Sequence, residues 1–208
     1  MAEQVFPTKG NLIRLKKSLE LAKTGYDLLD RKRNILVRET MLLVDRAKEV
    51  TSKIESTYSK AYLALQNANI HLGIVDDIAV CVPVDNSVRI TGRSIMGVVI
   101  PKVDCEKTPL VNTYGYRRTD ISLDKAFKRF DEVKMLTAQL AEIESSVFRL
   151  AEGIRKTQKR ANALKNIVIP RFETQIKTIS DMLDEKEREE FSRLKVIKKQ
   201  VDKNKSKN

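Results

Sequence analysis

The stretch RLKKSLELAKTGYDLLDRKR, residues Arg14–Arg33, combines an apolar seam with a basic outer face. The apolar residues recur at steps of three and four, the spacing of one face of an α-helix; they are Leu15, Leu19, Ala22, Tyr26 and Leu29. Gly25 lies inside this helix, where it costs about 1 kcal/mol relative to alanine. Because Gly25 precedes the bulky Tyr26, the sequence predicts that a partner helix comes close to the backbone here.

The apolar seam continues well beyond this stretch. From Leu12 to Ile54 the steps of three and four hold for about six heptads, with Arg33 and Thr40 as the polar members. Beyond Ile54 the seam positions become small, at Thr57, Ala61, Ala64 and Ala68. A helix over residues 8–68 would be about 90 Å long at ~1.5 Å per residue.

A second helical seam begins after Asp120, and Ser122 is its predicted N-cap. It runs from Leu123 to Val168, steps by four and four, and then resumes its regular spacing. The seam positions beyond Val168 are Phe172, Ile176, Ile179, Leu183, Phe191, Leu194 and Val201. The double step of four is a stutter, which relaxes a left-handed supercoil. Because it falls on Pro170, which removes a backbone donor, we expect a kink there.

Residues 71–121 between the two seams are rich in glycine and proline and have a different character. Two β-branched runs, NSVRIT (86–91) and SIMGVVIPKV (94–103), flank the residues TGRS. This pattern predicts a β-hairpin with its turn near Gly92 and Arg93. The candidate functional residues of this hairpin are Arg89, Thr91, Gly92, Arg93 and Ser94.

The predicted fold is dominated by α-helix. We expect residues 1–70 and 122–208 to form a long antiparallel two-helix coiled coil, with the hairpin region 71–121 at its distal end, all within one structural domain. In this arrangement the two seams bury each other, and the end of the longer second helix projects alone. A parallel homodimer is the alternative, but each chain would then have two seams to cover separately.

The chain carries 40 Lys and Arg against 28 Asp and Glu, a formal net charge of +12. Such a surface favours an acidic partner. Cations are concentrated near both chain termini, which the antiparallel arrangement brings to the same end of the coiled coil. The predicted basic tip consists of Lys9, Arg14, Lys16, Lys17, Arg193, Lys195, Lys198 and Lys199. The first residues lack a signal-peptide pattern, and the longest apolar run, IMGVVI (95–100), is too short to span a bilayer.

The sequence offers little catalytic chemistry. It has no GxxxxGK[ST] phosphate-binding loop, and His71 is its single histidine. Cys81 and Cys105 form no CxxC pair and are expected to be reduced thiols. We therefore predict a non-catalytic chain with no cofactor, no metal site and no catalytic residue.

Two stretches carry a family resemblance: PTKGNLIRLKKSLELAKTGYDLLDRKR (Pro7–Arg33) and KTQKRANALKNIVIP (Lys156–Pro170). Together with EREEFSRLKVIK (Glu187–Lys198), they resemble the D subunit of V-type and A-type rotary ATPases. The resemblance covers nearly the whole chain and is looser in the hairpin region.

The resemblance implies a central-stalk rotor shaft, present in one copy per complex on the cytoplasmic face of the membrane. Its implied partners are the A and B subunits of the catalytic hexamer, the F subunit, and the subunit that caps the membrane rotor ring, with no direct membrane insertion. A basic coiled-coil arm that binds nucleic acid is the competing hypothesis. We do not expect nucleic acid as a partner, because the aromatic residues lie mainly on the seams, at Tyr26, Phe127, Phe130 and Phe172.

Overall fold

The computed structural model describes residues 6–82, 87–105, 114–115, 117 and 119–205. Its elements in chain order are α1 (Lys9–Leu72), α2 (Asp76–Ala79), β1 (Val88–Ile95), β2 (Val98–Cys105), α3 (Ile121–Ala163), a π-helical turn (Leu164–Val168) and α4 (Ile169–Lys205). Two long helical segments and one two-stranded sheet confirm the predicted fold class. The described residues divide into two compact units, one made of α1 up to Lys32 with the chain from Lys156 onward, the other of Arg33–Arg155.

In the first unit, the start of α1 packs antiparallel to α4. Lys9 Nζ lies 2.7 Å from Glu187 Oε1, and Lys23 Nζ lies 2.9 Å from Glu173 Oε1. The residue on α4 that pairs with α1 thus moves toward the start of α4 as one moves along α1, which is the antiparallel order. The seam between α1 and the C-terminal segment of this unit is closed by small and aliphatic residues, and the buried ones include Ala22, Ala161 at the end of α3, and Ile179 of α4.

In the second unit, α1 and α3 are again antiparallel. Leu36 and Leu150 are completely buried and form the centre of a core with Ile100. Further along, the rings of Tyr62 and Phe130 meet edge to face, with centroids 5.7 Å apart. The polar seam residue Thr40 avoids an unpaired hydroxyl because its Oγ1 donates to the Leu36 carbonyl at 2.8 Å.

Two side chains mark where the long helices begin. The N–H of Asn11 donates to Thr8 Oγ1 at 3.3 Å, so Thr8 caps the first turn of α1. The prediction that Ser122 caps the second long helix is wrong, since the helix already begins at Ile121. Asp120 holds this end instead: its Oδ1 accepts the Ile121 N–H at 2.7 Å, and its Oδ2 accepts the Ser122 hydroxyl at 3.2 Å.

The hairpin turns at a different place from the one predicted. Its register pairs Val88 with Cys105 and Ile95 with Val98, which leaves Met96 and Gly97 as the two-residue turn. Both turn residues have positive φ, 48° and 77°, as a tight hairpin with the right twist requires. The prediction of a turn near Gly92 and Arg93 is therefore wrong. The observed register places Ile95, Val98 and Ile100 against the core around Leu36 and Leu150.

The hairpin lies alongside α3, which covers the outer edge of β2 with polar side chains. The Val103 N–H donates to Glu142 Oε2 at 2.9 Å, Ser146 Oγ donates to the Pro101 carbonyl at 3.4 Å, and Arg149 Nη1 donates to the Val99 carbonyl at 3.2 Å. Proline has no backbone N–H to donate. Pro101 is tolerated in this strand because its nitrogen faces α3, so no hydrogen bond of the ladder with β1 is lost.

Among the glycines of the described helices, the closest approach by another element occurs at Gly153, not at Gly25. A Cβ added to Gly153 would lie 2.7 Å from Val98 Cγ2, closer than side chains tolerate. At Gly25 an added Cβ would lie 3.9 Å from Leu164 Cδ1, which is ordinary contact. The prediction that Gly25 serves close packing is therefore wrong, and Gly153 has that role toward the hairpin.

The seam stutter coincides with the π-helical turn Leu164–Val168. The two steps of four shift the heptad frame by one residue, and a π turn holds one residue more than an α turn. The helix therefore absorbs the shift and keeps its seam on one face: Leu164, Val168 and Phe172 are all partly buried. Pro170, in the turn that follows, lacks the N–H that would continue the α-helical ladder.

Candidate docking surfaces

The eight cations of the predicted basic tip all lie on α1 or α4 of the first unit, and all are exposed. They do not form one cluster. Lys9 meets Glu187, so Lys198 lies about 16 Å farther along α4 and Arg14 about 8 Å back along α1, at ~1.5 Å per residue. Acidic residues separate the two groups: Asp184, Glu185, Glu187, Glu189 and Glu190. The structure therefore gives a cationic end to α4 alone.

Lys9 and Glu187 shift each other's protonation. Their side-chain hydrogen bond, with the attraction between the two charges, raises the pKa of Lys9 and lowers the pKa of Glu187. Each shift favours the charged form, so the pair stays ionised on both sides of neutral pH. Because both side chains are mostly exposed, the pair adds little stability, and it marks where α1 begins along α4.

The end of α4 also exposes apolar side chains that were predicted to continue the seam. Phe191 is 69% exposed and Leu194 is 64% exposed, and Val196 and Ile197 are exposed as well. The sequence signal was present, because an apolar seam on a helix that outlasts its partner must face solvent. The cationic end of α4 is therefore also an apolar surface suited to another chain.

A second apolar surface lies in the other unit, in a groove between α1 and α3. Val44 and Ala47 line one wall, and Val147 and Ala151 line the other. Phe148, beside the groove, is 73% exposed. Sequence reasoning missed this groove, because Phe148 follows the seam residue Val147 and reads as an ordinary surface position.

The five predicted hairpin residues all lie on β1, and all are exposed. They belong to the body of the strand, away from the turn at Met96 and Gly97. On β2, a hydrogen bond to Asp104 at 2.8 Å raises the pKa of Lys102.

The residues that the structure describes contain no group of three or more His, Cys, Asp and Glu side chains arranged to hold a metal ion. Among these same residues, no helix combines the length and the apolar character that crossing a membrane requires.

The fold and its exposed surfaces define an α-helical hairpin protein with several surfaces suited to docking other chains. The family model that describes the D subunit of ATP synthase matches residues 11–199. The chain is 43% identical over 199 residues to the D subunit of a V-type ATP synthase from Thermotoga neapolitana, covering 95% of this chain and 98% of the relative. It is 38% identical to the D subunit of an A-type ATP synthase from Thermococcus sibiricus and 36% identical to that from Pyrococcus furiosus, each alignment covering 94% of both chains.

The chain belongs to the family of ATP synthase D subunits. It is thus a component of a V-type or A-type ATP synthase complex, as the names of its relatives state.

Proposed function

We propose that this chain is the non-catalytic rotor shaft of the complex, which transmits torque between the ATP-hydrolysing A/B hexamer and the membrane ring that moves H⁺ or Na⁺. One observation carries the proposal: in each unit, α1 packs antiparallel to the C-terminal helical segment over a closed seam. Two helices that share a seam resist bending and twisting better than one, which is what a shaft requires.

The exposed surfaces suggest how the shaft meets its partners. The end of α4, with Lys195, Lys198, Lys199 and the apolar Phe191, enters the bore of the hexamer. The groove beside Phe148 carries the F subunit. The hairpin region serves the contact with the subunit that caps the rotor ring, or regulates the hexamer. One copy of the chain acts in each complex, on the cytoplasmic face of the membrane and without insertion into it.

Charge reversal at the end of α4 tests the hexamer contact. The triple variant Lys195→Glu, Lys198→Glu and Lys199→Glu should weaken assembly with the A/B hexamer, most strongly at low salt, where charges are least screened. The control variant Lys53→Glu, Lys60→Glu and Lys128→Glu changes the net charge equally at positions elsewhere on the chain. Equal assembly of both variants, measured by titration of the purified hexamer, would refute a steering role for this end.

Two matched aromatic substitutions separate the two apolar surfaces. Phe148→Asp should abolish the one-to-one complex with the F subunit and leave hexamer binding intact. Phe191→Asp should weaken hexamer binding and leave the complex with the F subunit intact. The two side chains are exposed to a similar degree, 73% for Phe148 and 69% for Phe191, so neither substitution should unfold the chain. If both variants behave alike in the two binding assays, the assignment of partners to surfaces is wrong.

The charge of +12 keeps nucleic acid as the second candidate partner. Phosphate contacts release counterions, so binding to DNA or RNA would fall steeply as salt rises. Filter binding of DNA and RNA across a salt series separates the rotor shaft from the nucleic-acid-binding arm. Submicromolar affinity at physiological salt that falls steeply with salt concentration would favour the nucleic-acid-binding arm.

A further inference from the structure

The two edges of the hairpin differ sharply. The outer edge of β2 is covered by Glu142, Ser146 and Arg149 of α3. β1 is exposed along its first seven residues, and only Ile95, next to the turn, is partly buried. An open strand edge presents a row of backbone donors and acceptors to which another strand can add.

The register identifies which backbone groups of β1 face outward. In an antiparallel pair, alternate residues bond to the neighbouring strand and the others point away from it. The groups of Val99, Pro101 and Val103 point away toward α3, so the alternate residues Val98, Ile100, Lys102 and Asp104 bond to β1. Their register partners are Arg89, Thr91, Arg93 and Ile95. The outward N–H and C=O groups of β1 therefore belong to Val88, Ile90, Gly92 and Ser94.

These outward groups have no backbone partner outside the hairpin among the described residues. Three devices that usually protect a strand edge are missing from β1. The strand contains no proline, its eight consecutive register pairs leave no bulge, and it is longer than the usual ~5–6 residues. An edge of this length can form several main-chain hydrogen bonds with an added strand.

The side chains of β1 indicate what kind of segment fits. One face of the strand carries Val88, 44% exposed, and Ile90, 71% exposed, while the other carries Arg89 and Arg93. Side chains of adjacent strands pair on the same face, where like charges repel and opposite charges attract. A second copy of β1 would bring arginines to the same face, which disfavours self-pairing.

We propose that the open edge of β1 binds an extended segment of another subunit of the ATP synthase complex, whose residues alternate between apolar and acidic. The apolar residues pack beside Val88 and Ile90, and the acidic ones meet Arg89 and Arg93. The backbone groups of Val88, Ile90, Gly92 and Ser94 supply the hydrogen bonds. This inference rests on the proposed function, because it takes the partner from the assembled complex.

Amide hydrogen exchange with residue resolution tests the proposal, because strand addition leaves an alternating signature. In the isolated chain, the amides of Arg89, Thr91 and Arg93 are protected by β2, whereas those of Ile90, Gly92 and Ser94 exchange fast. In the assembled complex, the amides of Ile90, Gly92 and Ser94 should slow by at least about tenfold. Equal slowing of all six amides would indicate simple burial and would overturn the proposal, as would no slowing at all.

The substitution Ile90→Pro sharpens this test. It removes one outward N–H and leaves the ladder with β2 intact, because proline is tolerated at a free edge. The protection of Gly92 and Ser94 in the complex should then fall several-fold, whereas the control Ile90→Thr, which keeps the N–H, should retain it. Excising the whole hairpin is a poorer test, since that would uncover the core residues Leu36 and Leu150.

Three outcomes separate this inference from the proposed function. If the amides of Ile90, Gly92 and Ser94 become protected in the isolated chain as its concentration rises, the occupant is a second copy and the proposal is wrong. If the chain fails to enter the complex, the proposed function is wrong and this inference falls with it. Assembly without alternating protection overturns the inference alone.

Discussion

The two halves of α4 contain similar apolar residues, but these are buried in one half and exposed in the other. Ile179, in the half that packs on α1, is 3% exposed, whereas Phe191 and Leu194 are 69% and 64% exposed. Lys9 lies near the boundary, where it pairs with Glu187 and α1 begins. From Asp184 to Lys199, every side chain is exposed.

Burial along α4 therefore depends on whether a second helix lies against it and not on residue type. The seam spacing continues through both halves, but a seam is buried only where a second helix lies on it. Apolar surface left in water can still be covered by a partner, at about 25 cal/mol for each Å² removed from solvent. The unpaired half of α4 therefore keeps apolar surface that a partner chain could cover.

The largest effect expected from this difference is on stability. Ile179→Ala should lower the free energy of unfolding by about 2–5 kcal/mol, because it leaves a cavity in a closed seam. Leu194→Ala on the same helix should change it by no more than about 0.5 kcal/mol. Denaturant unfolding of the two variants measures both values, and similar losses would mean that the end of α4 is packed in solution.

Two helical glycines, Gly153 and Gly25, show the same dependence on the neighbouring element, because they are identical residues in different surroundings. Gly153→Ala should destabilise the protein by about 1–3 kcal/mol, because its Cβ would lie 2.7 Å from Val98 Cγ2. Gly25→Ala should instead stabilise it by about 0.5–1 kcal/mol, since alanine favours helix and the nearest atom lies at 3.9 Å.

Amide exchange in β2 distinguishes the two glycine variants further. Exchange should accelerate in Gly153→Ala, where the hairpin must move away from α3, and should stay unchanged in Gly25→Ala. A stabilised Gly153→Ala variant would mean that Val98 relaxes freely and that the hairpin is held by its polar contacts alone.

The smallest effect concerns the ion pair at the boundary. Because its pKa is lowered in the folded chain, Glu187 contributes stability above its ordinary pKa, and this is lost as the pH falls through the lowered value. Lys9, whose pKa is raised, contributes below its ordinary pKa and loses this as the pH rises through the raised value. In Lys9→Gln, the pKa of Glu187, followed by NMR titration, should return toward the ordinary value. An unmoved pKa would mean that the pair does not persist in solution.

Much of the helical fold could be predicted from the sequence, because heptad spacing reports directly on packing. The predicted seam positions Ala22, Ile54, Ala68 and Ile179 are all buried. Helix ends were harder: Asp120 and Ser122 are both good capping residues, and only the structure distinguishes them. The short helix α2 gave no periodic signal, since four residues are too few to repeat a pattern.

The hairpin could be predicted as an element but not in its register. Glycine is the residue that most readily adopts positive φ, so Gly92 was the natural turn, whereas the observed turn places Met96 at φ 48°. Burial of Ile95, Val98 and Ile100 against Leu36 and Leu150 outweighs that local cost. A single sequence read locally gives no information on such a contact between distant residues. The open edge of β1 and the groove beside Phe148 were missed for the same reason.

The π-helical turn gives the chain a spare residue. A deletion of one residue within Leu164–Val168 would let the wide turn close into an ordinary one, and the seam would then run through without a break in its heptads. A few turns later the helix is an ordinary α-helix with no additional residue to lose. A one-residue deletion there would rotate every following side chain by about 100° away from α1. Within the part of the C-terminal segment that packs on α1, tolerance to a one-residue deletion should therefore be confined to this turn.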